Sequence, residues 1–163
     1  MAYIIDANCF IQPKNDYYRF DVCPGYWDAL IIGNASRLIY SISHVRKELC
    51  DGNDGLVDWA RAQGDNFFLA DDDALTANSN TQIVTWVTGR DFTPVAKTDF
   101  LDSTDLFVIG YAMAYNHTVV THESLNLNRK NKVMIPVVCQ QFDVPCIKVF
   151  GMLQSMGTRF VLP

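Results

Sequence analysis

The sequence predicts an α/β fold: a parallel sheet covered by helices on both faces. Three observations lead there. Short β-prone apolar runs, at residues 3–5, 38–42 and 118–121, are separated by stretches whose apolar residues recur at helical spacing. Strands that alternate with helices in this way pair in parallel, because each return crossing is a helix that packs on the sheet. The length of 163 residues, with 49% hydrophobic and 19% charged residues, suits one globular domain over residues 1–163 with a real core.

Taken in order, Tyr3-Ile4-Ile5 reads as a buried strand that ends at Asp6. A polar, aromatic stretch with Pro13 and Pro24 follows, read as loop with short helical pieces. Pro24-Gly25 then precedes Tyr26, Trp27, Leu30 and Ile31 at helical spacing. Residues 38–42 form the second strand. Ser43 is placed to cap a helix carrying Val45, Glu48 and Leu49. The turn-forming run Asp51-Gly52-Asn53-Asp54-Gly55 leads to a helix over 56–63, and 66–70 is a third strand. Asp71-Asp72-Asp73 opens a helix that ends near Val87, its acids favouring the positive helix end. Residues 89–99 read as a loop inside the domain. A helix from Asp102 to Tyr115, a strand over 118–121 and a weaker one over 132–135 follow. Helices over 136–142 and 149–156 complete the chain.

Several classes of function are disfavoured at once. Five cysteines, Cys9, Cys23, Cys50, Cys139 and Cys146, are odd in number, irregularly spaced and contain no CxxC. They predict neither a disulfide framework nor a zinc knuckle, and point to a reducing cytoplasm. The first residues, MAYIIDANCF, lack the basic region and cleavage site of a signal peptide. No apolar run approaches the length of a membrane span, so no membrane partner is expected. A net charge of −5 argues against wholesale wrapping of nucleic acid. It is compatible with a nuclease whose acidic centre holds cations and whose basic residues line only the rim.

Four acids, Asp6, Glu48, Asp105 and Glu123, carry the chemistry, with Asp102 beside them as a weaker candidate. Asp6 and Glu123 stand at or just beyond the carboxyl ends of apolar strands, where open α/β sheets place their clefts. Glu48 shares a helix face with Val45 and Leu49, a costly place for a carboxylate unless it is paired or bound to a metal. Asp102 and Asp105 bracket a helix start, where they serve as cap and reciprocal acid and can also present a carboxylate to the cleft. Each acid has a plain structural use: a turn after a strand, an ion pair with Arg46 or Lys47, a helix cap. Gathered in one place they would repel strongly, and divalent cations would reconcile them. Hard oxygen ligands favour Mg²⁺ or Mn²⁺, which keep water ligands and bind phosphate. His122-Glu123 lacks the second histidine of an HExxH site.

In this order the motifs IIDAN (4–8), VRKEL (45–49), DLFVIGYA (105–112) and VVTHE (119–123) resemble those of the PIN-domain superfamily of metal-dependent nucleases. The segment 132–160 is similar to the C-terminal part of one PIN-like branch, a bacterial domain of unknown function that resembles toxins of toxin–antitoxin pairs. The resemblance implies a three-layer α/β/α fold with a central parallel sheet of four to five strands. It implies an endoribonuclease using Mg²⁺ or Mn²⁺, an RNA substrate, a cognate antitoxin and a possible homodimer. By position, Asp6, Glu48, Asp105 and Glu123 would be the catalytic metal carboxylates, with Asp102 a further metal candidate. Asn8 and Thr121 would serve in outer-shell or phosphate contacts. Glu123 stands where the family more often has Asp, so it reaches a metal either directly or through water.

Arg90, Lys97, Arg129, Lys130 and Lys132 are candidates for a phosphate-tracking rim, or else a solvated loop surface. Tyr17, Tyr18, Phe20, Tyr26 and Trp27 are read mainly as core or interface, with base stacking as the other use. His44, His117 and His122 are read as surface or supporting groups, with His122 nearest the acids. Two other functions fit parts of the pattern. A degenerate PIN-like module would bind RNA or protein without cutting. A haloacid-dehalogenase-like phosphatase would want a second Asp two residues after Asp6, where this chain has Asn8.

Overall fold

The computed structural model describes residues 1–52 and 54–161; Asn53, read above as part of a turn, lies outside the described residues. Five parallel strands form one sheet in the order β3-β2-β1-β4-β5: β1 (Tyr3–Ile5), β2 (Ile39–Ile42), β3 (Phe68–Leu69), β4 (Thr118–Val120) and β5 (Cys146–Ile147). All four pairings are parallel. Helices cover the sheet in a three-layer α/β/α arrangement, as the alternation of strand and helix predicts.

The topology fixes where a site can be. The chain steps outward from β1 through β2 to β3, then returns to lay β4 on the other side of β1. The order therefore reverses between β1 and β4, and the crevice beyond their carboxyl ends is the switch point of the sheet. Ile5 is in register with Val120, so the residues that follow both strands leave the sheet side by side. The Asp6 amide continues the ladder, donating to the Val120 carbonyl at 3.1 Å.

Nine helices occur among the described residues. α1 (Asn8–Asn15) starts two residues after Asp6 and contains Pro13, and α2 (Pro24–Ala35) opens on its proline. α1 falls in the stretch read as loop with short helical pieces, whereas α2 carries Tyr26, Trp27, Leu30 and Ile31 at the helical spacing read from the sequence. α3 (Ser43–Cys50) begins directly after β2, and α4 (Gly55–Gln63) is capped by the Asp54 side chain. α5 (Ala74–Gly89) is capped by Asp73, which accepts from the Leu75 and Thr76 amides. α6 (Pro94–Leu101) falls largely in the stretch expected to be a loop. Thr93 caps it and Pro94 opens it, a pair of signals that favours a helix start.

α7 (Thr104–Tyr115) starts after Ser103, and Asp102 ends α6 instead of opening this helix. α8 (Ile135–Gln141) and α9 (Val149–Ser155) follow. The expected strand over 132–135 is absent. Val133, Met134 and Ile135 are buried, but they lead into α8 rather than along the sheet. The fifth strand is instead Cys146–Ile147, on the edge beside β4.

The core joins the inner sheet residues Ile4, Ile5, Ile39, Ile42, Val119 and Val120, all fully buried, to the helices around them. Tyr26 and Trp27 lie in it, while Tyr18 and Phe20 pack against it, so most of the aromatic stretch is structural. Phe20 stacks on Trp27 and Tyr18 on Tyr26. All five cysteines are free thiols. No helix among the described residues is long and apolar enough to cross a membrane.

Candidate active site

Asp6 is fully buried at the end of β1. One carboxylate oxygen, Oδ2, accepts from the Thr121 hydroxyl at 3.1 Å. The other, Oδ1, is buried without a hydrogen-bond partner. Burial pushes the Asp6 carboxyl up to about 6, with Glu123 and Glu48 adding to the rise against the hydrogen bonds from Thr121 and the Asn8 backbone. A buried carboxylate with an empty oxygen is an expensive arrangement that ordinary folding does not require.

Asp105 sits in the first turn of α7 and faces the same acids. Burial, helped by the charges of Asp6, Glu123 and Glu48 and opposed by Lys132, raises its carboxyl to about 8. Thr121 links the two strand ends: its hydroxyl donates to Asp6 and accepts from the Glu123 amide at 3.2 Å. Its predicted outer-shell place is therefore a bond to a carboxylate oxygen.

Glu123 is 8% exposed at its side chain and is already engaged. Lys132 donates to Oε1, and the Ile135 amide at the start of α8 donates to Oε2 at 2.7 Å. Glu48 is exposed on α3 and accepts from the Thr104 hydroxyl at 2.5 Å. That bond ties α3 to the start of α7, one residue before Asp105.

Two cavities flank Asp105. One, of about 450 Å³, includes Asn8, His44, Glu48, Asp102 and Thr104 in its wall as well as Asp105. The other, of about 240 Å³, brings Arg129, Asn131 and Lys132 to Asp105. Asp105 therefore stands between an acidic cleft and one of mixed charge, where Asp99 also lines the wall. Among the described residues, no three His, Cys, Asp or Glu side chains converge closely enough to hold an ion as they stand. The donor set fits a hard cation in its chemistry and in the empty oxygen of Asp6, while Glu123 is turned to Lys132 and Glu48 to Thr104.

The family model that matches this chain is described as Domain of unknown function (DUF4411), and it spans residues 3–160. The chain belongs to that family. No curated protein and no solved structure matches it.

The match to DUF4411 contains all four acids and every other candidate residue. Of the basic residues singled out in this DUF4411 chain, the structure brings Arg129 and Lys132 to the acids. It does not bring Arg90 or Lys97 to either cavity beside Asp105. The Arg90 guanidinium lies over Trp86 at 5.0 Å and donates to Gln141 at 3.2 Å, in a separate cavity of about 650 Å³ that also holds Phe92 and Lys130. Lys97 donates to the Thr88 carbonyl at 2.8 Å, near the end of α5.

Thr104 had no clear signal in the sequence, Lys132 was read only as a rim cation, and His44 only as a surface or supporting group. Thr104 and Lys132 act through partners 56 and 9 residues away, Glu48 and Glu123. His44 lines the acidic cleft, whereas His122, the histidine expected nearest the acids, is half-buried and lies 3.3 Å from the Tyr17 hydroxyl.

Proposed function

We propose that this chain is a PIN-like, metal-dependent endoribonuclease that hydrolyses RNA phosphodiester bonds, the toxin of a toxin–antitoxin pair. The observation that carries the proposal is the pairing of Asp6 and Asp105 at the switch point of the sheet. Both carboxyls are raised by burial and by neighbouring acids, and a buried Asp6 oxygen has no partner. Such clustering of perturbed acids in a cleft is what catalytic centres share.

A bound Mg²⁺ or Mn²⁺ would supply positive charge for the phosphate and a water of lowered pKa. Asp6 and Asp105 would hold it, with Glu48, Glu123 and Asp102 reaching it directly or through water. Thr121 fixes the Asp6 carboxylate, and Thr104 fixes Glu48. Arg129, which lines the cavity beside Asp105 with Asn131, would meet the phosphate backbone as it leaves the acids. In the toxin reading, a cognate antitoxin covers this crevice, and the active form is cytoplasmic, as a monomer or a homodimer.

Asp105→Asn tests the reading. It keeps the shape of the side chain and removes one charge. We expect it to lower Mn²⁺-dependent RNA cleavage by more than about 100-fold with the fold intact, since even outer-shell changes at metal centres cost about 10- to 100-fold. Cleavage at the wild-type rate would overturn the assignment.

A second reading has its own observation. Glu123 is occupied by Lys132 and the Ile135 amide, and no three donors converge among the described residues. A module that binds RNA or protein without cutting it would be content with that arrangement. Calorimetric titration with Mn²⁺ separates the two: the nuclease binds the ion in a way that depends on Asp6 and Asp105, and the binding module does not.

A further inference from the structure

His44 is held more firmly than a surface histidine requires. It stands in the first turn of α3, four residues before Glu48. Its Nδ1 lies 2.6 Å from Oδ2 of Asp71, whose side chain is completely buried beyond the end of β3. The Ser43 hydroxyl donates to the other Asp71 oxygen. The imidazole also lies flat on the Phe107 ring, 3.8 Å between centroids and 7° from parallel. Two other segments, at Asp71 and at Phe107 on α7, thus fix the position and rotation of one ring.

The Asp71 carboxylate only accepts, so Nδ1 carries the proton of that bond. Nε2 is the nitrogen left for chemistry, and the bond at Nδ1 holds it in a fixed orientation. The ring is 40% exposed and belongs to the wall of the acidic cleft, with Glu48 and Asp105. Asp71 is no part of the helix cap beside it, because Asp73 alone makes those bonds. The pair is therefore unexplained by local structure.

We propose that His44, oriented by Asp71, is the proton donor to the leaving ribose oxygen when this site cleaves RNA. The proposal rests on the ribonuclease reading above and adds a catalytic residue to it. As the water oxygen bonds to phosphorus, the phosphorus–ribose oxygen bond breaks and its electron pair stays on the ribose oxygen. That oxygen takes the proton from Nε2 and leaves as an alcohol. The attacking water gives its proton to solvent, and solvent returns one to Nε2. An alkoxide is a poor leaving group, so this is the step where a positioned acid has most effect, on the order of 100- to 10,000-fold.

The test replaces the leaving oxygen. Two RNA oligonucleotides carry a single bridging sulfur, one on the 3′ side of the scissile phosphorus and one on the 5′ side. A thiolate leaves without a proton. His44→Gln is expected to cut all-oxygen RNA more than about 100-fold slower than wild type. It is expected to cut the oligonucleotide with sulfur at the leaving position within about 3-fold of wild type, since no acid is needed there. Asp71→Asn should show the same selectivity with a smaller loss. Nitrogen NMR of the wild-type ring should show the Nδ1–H form when the imidazole is neutral.

Equal slowing on oxygen and sulfur substrates would overturn the proposal, because a structural or phosphate-binding role affects both. Full activity of His44→Gln on all-oxygen RNA would overturn it while leaving the ribonuclease reading in place. A wild-type protein that cleaves none of these RNAs would remove both.

Discussion

Asp6 and Asp105 keep their protons far above the pH at which ordinary aspartates lose them, and this has a measurable consequence. In the unfolded chain both titrate near 3.8; in the folded chain burial, with the charges of neighbouring acids, lifts them to about 6 and about 8. Between those limits the folded protein binds more protons than the unfolded one. The stability these groups contribute is therefore full below about pH 4 and is lost as pH rises towards 8. In metal-free buffer, Tm is expected to fall across that window. Asp105→Asn should flatten the fall, and saturating Mn²⁺ should do the same in the wild type. Thermal melts from pH 4 to 8 with chelator, with Mn²⁺ and with the variant provide the check; a wild-type curve without the fall would mean that the two carboxylates are not in conflict. These two acids were legible in the sequence because a strand end and a helix start are local features. Lys132, Thr104 and the Asp71–His44 pair were not, since each acts through a bond between segments that no spacing rule connects.

At the level of elements, the site is a product of register. β1 and β4 are paired so that Ile5 meets Val120, which sets Asp6 and Thr121 within one hydrogen bond of each other. α7 must then be held close, because it delivers Asp105, and it packs along α5 with little room to spare. A Cβ on Gly110 would lie 1.7 Å from Oδ1 of Asn80, an oxygen that is buried and unpartnered. Gly110→Ala should therefore force α5 and α7 apart and cost about 1–3 kcal/mol, read as a lower midpoint in urea at constant slope. Ala114→Gly, on the same helix but half-exposed, should cost no more than about 1 kcal/mol from helix propensity. The sequence foretold the alternation of strands and helices because the long apolar patterns are periodic. It did not foretell β5, whose two residues, Cys146 and Ile147, are too few to show a period. Val133, Met134 and Ile135 look like a strand for the converse reason. They are apolar because they are buried, but Pro136 and the bond from the Ile135 amide to Glu123 turn them into a helix start.

Across the whole molecule, acids outnumber cations, 18 to 13. The net charge is −5, yet Arg129 and Lys132 meet at the smaller cavity beside Asp105, and Arg90 and Lys130 share the larger cavity near Trp86 and Phe92. Lys130 and its neighbours Arg129 and Lys132 lie on one loop, whose Lys130 carbonyl accepts from the Thr93 amide at 2.9 Å. That loop connects the two cavities. In the ribonuclease reading proposed above, an RNA strand that follows it would meet two to four cations. Each neutralised phosphate of a single strand contributes about −0.7 to the slope of log affinity against log salt. Binding of a single-stranded oligonucleotide to Asp105→Asn, measured by anisotropy between about 50 and 200 mM KCl, should therefore show a slope between about −1.4 and −2.8. Arg129→Gln should make the slope shallower by about 0.7, because it removes one phosphate contact beside the acids. Arg90→Gln in the same background tells how far the path extends: a similar change places the strand in both cavities, and no change confines it to the one beside Asp105. A slope steeper than about −4 would require cations beyond this loop and would put the RNA on a different face of the protein.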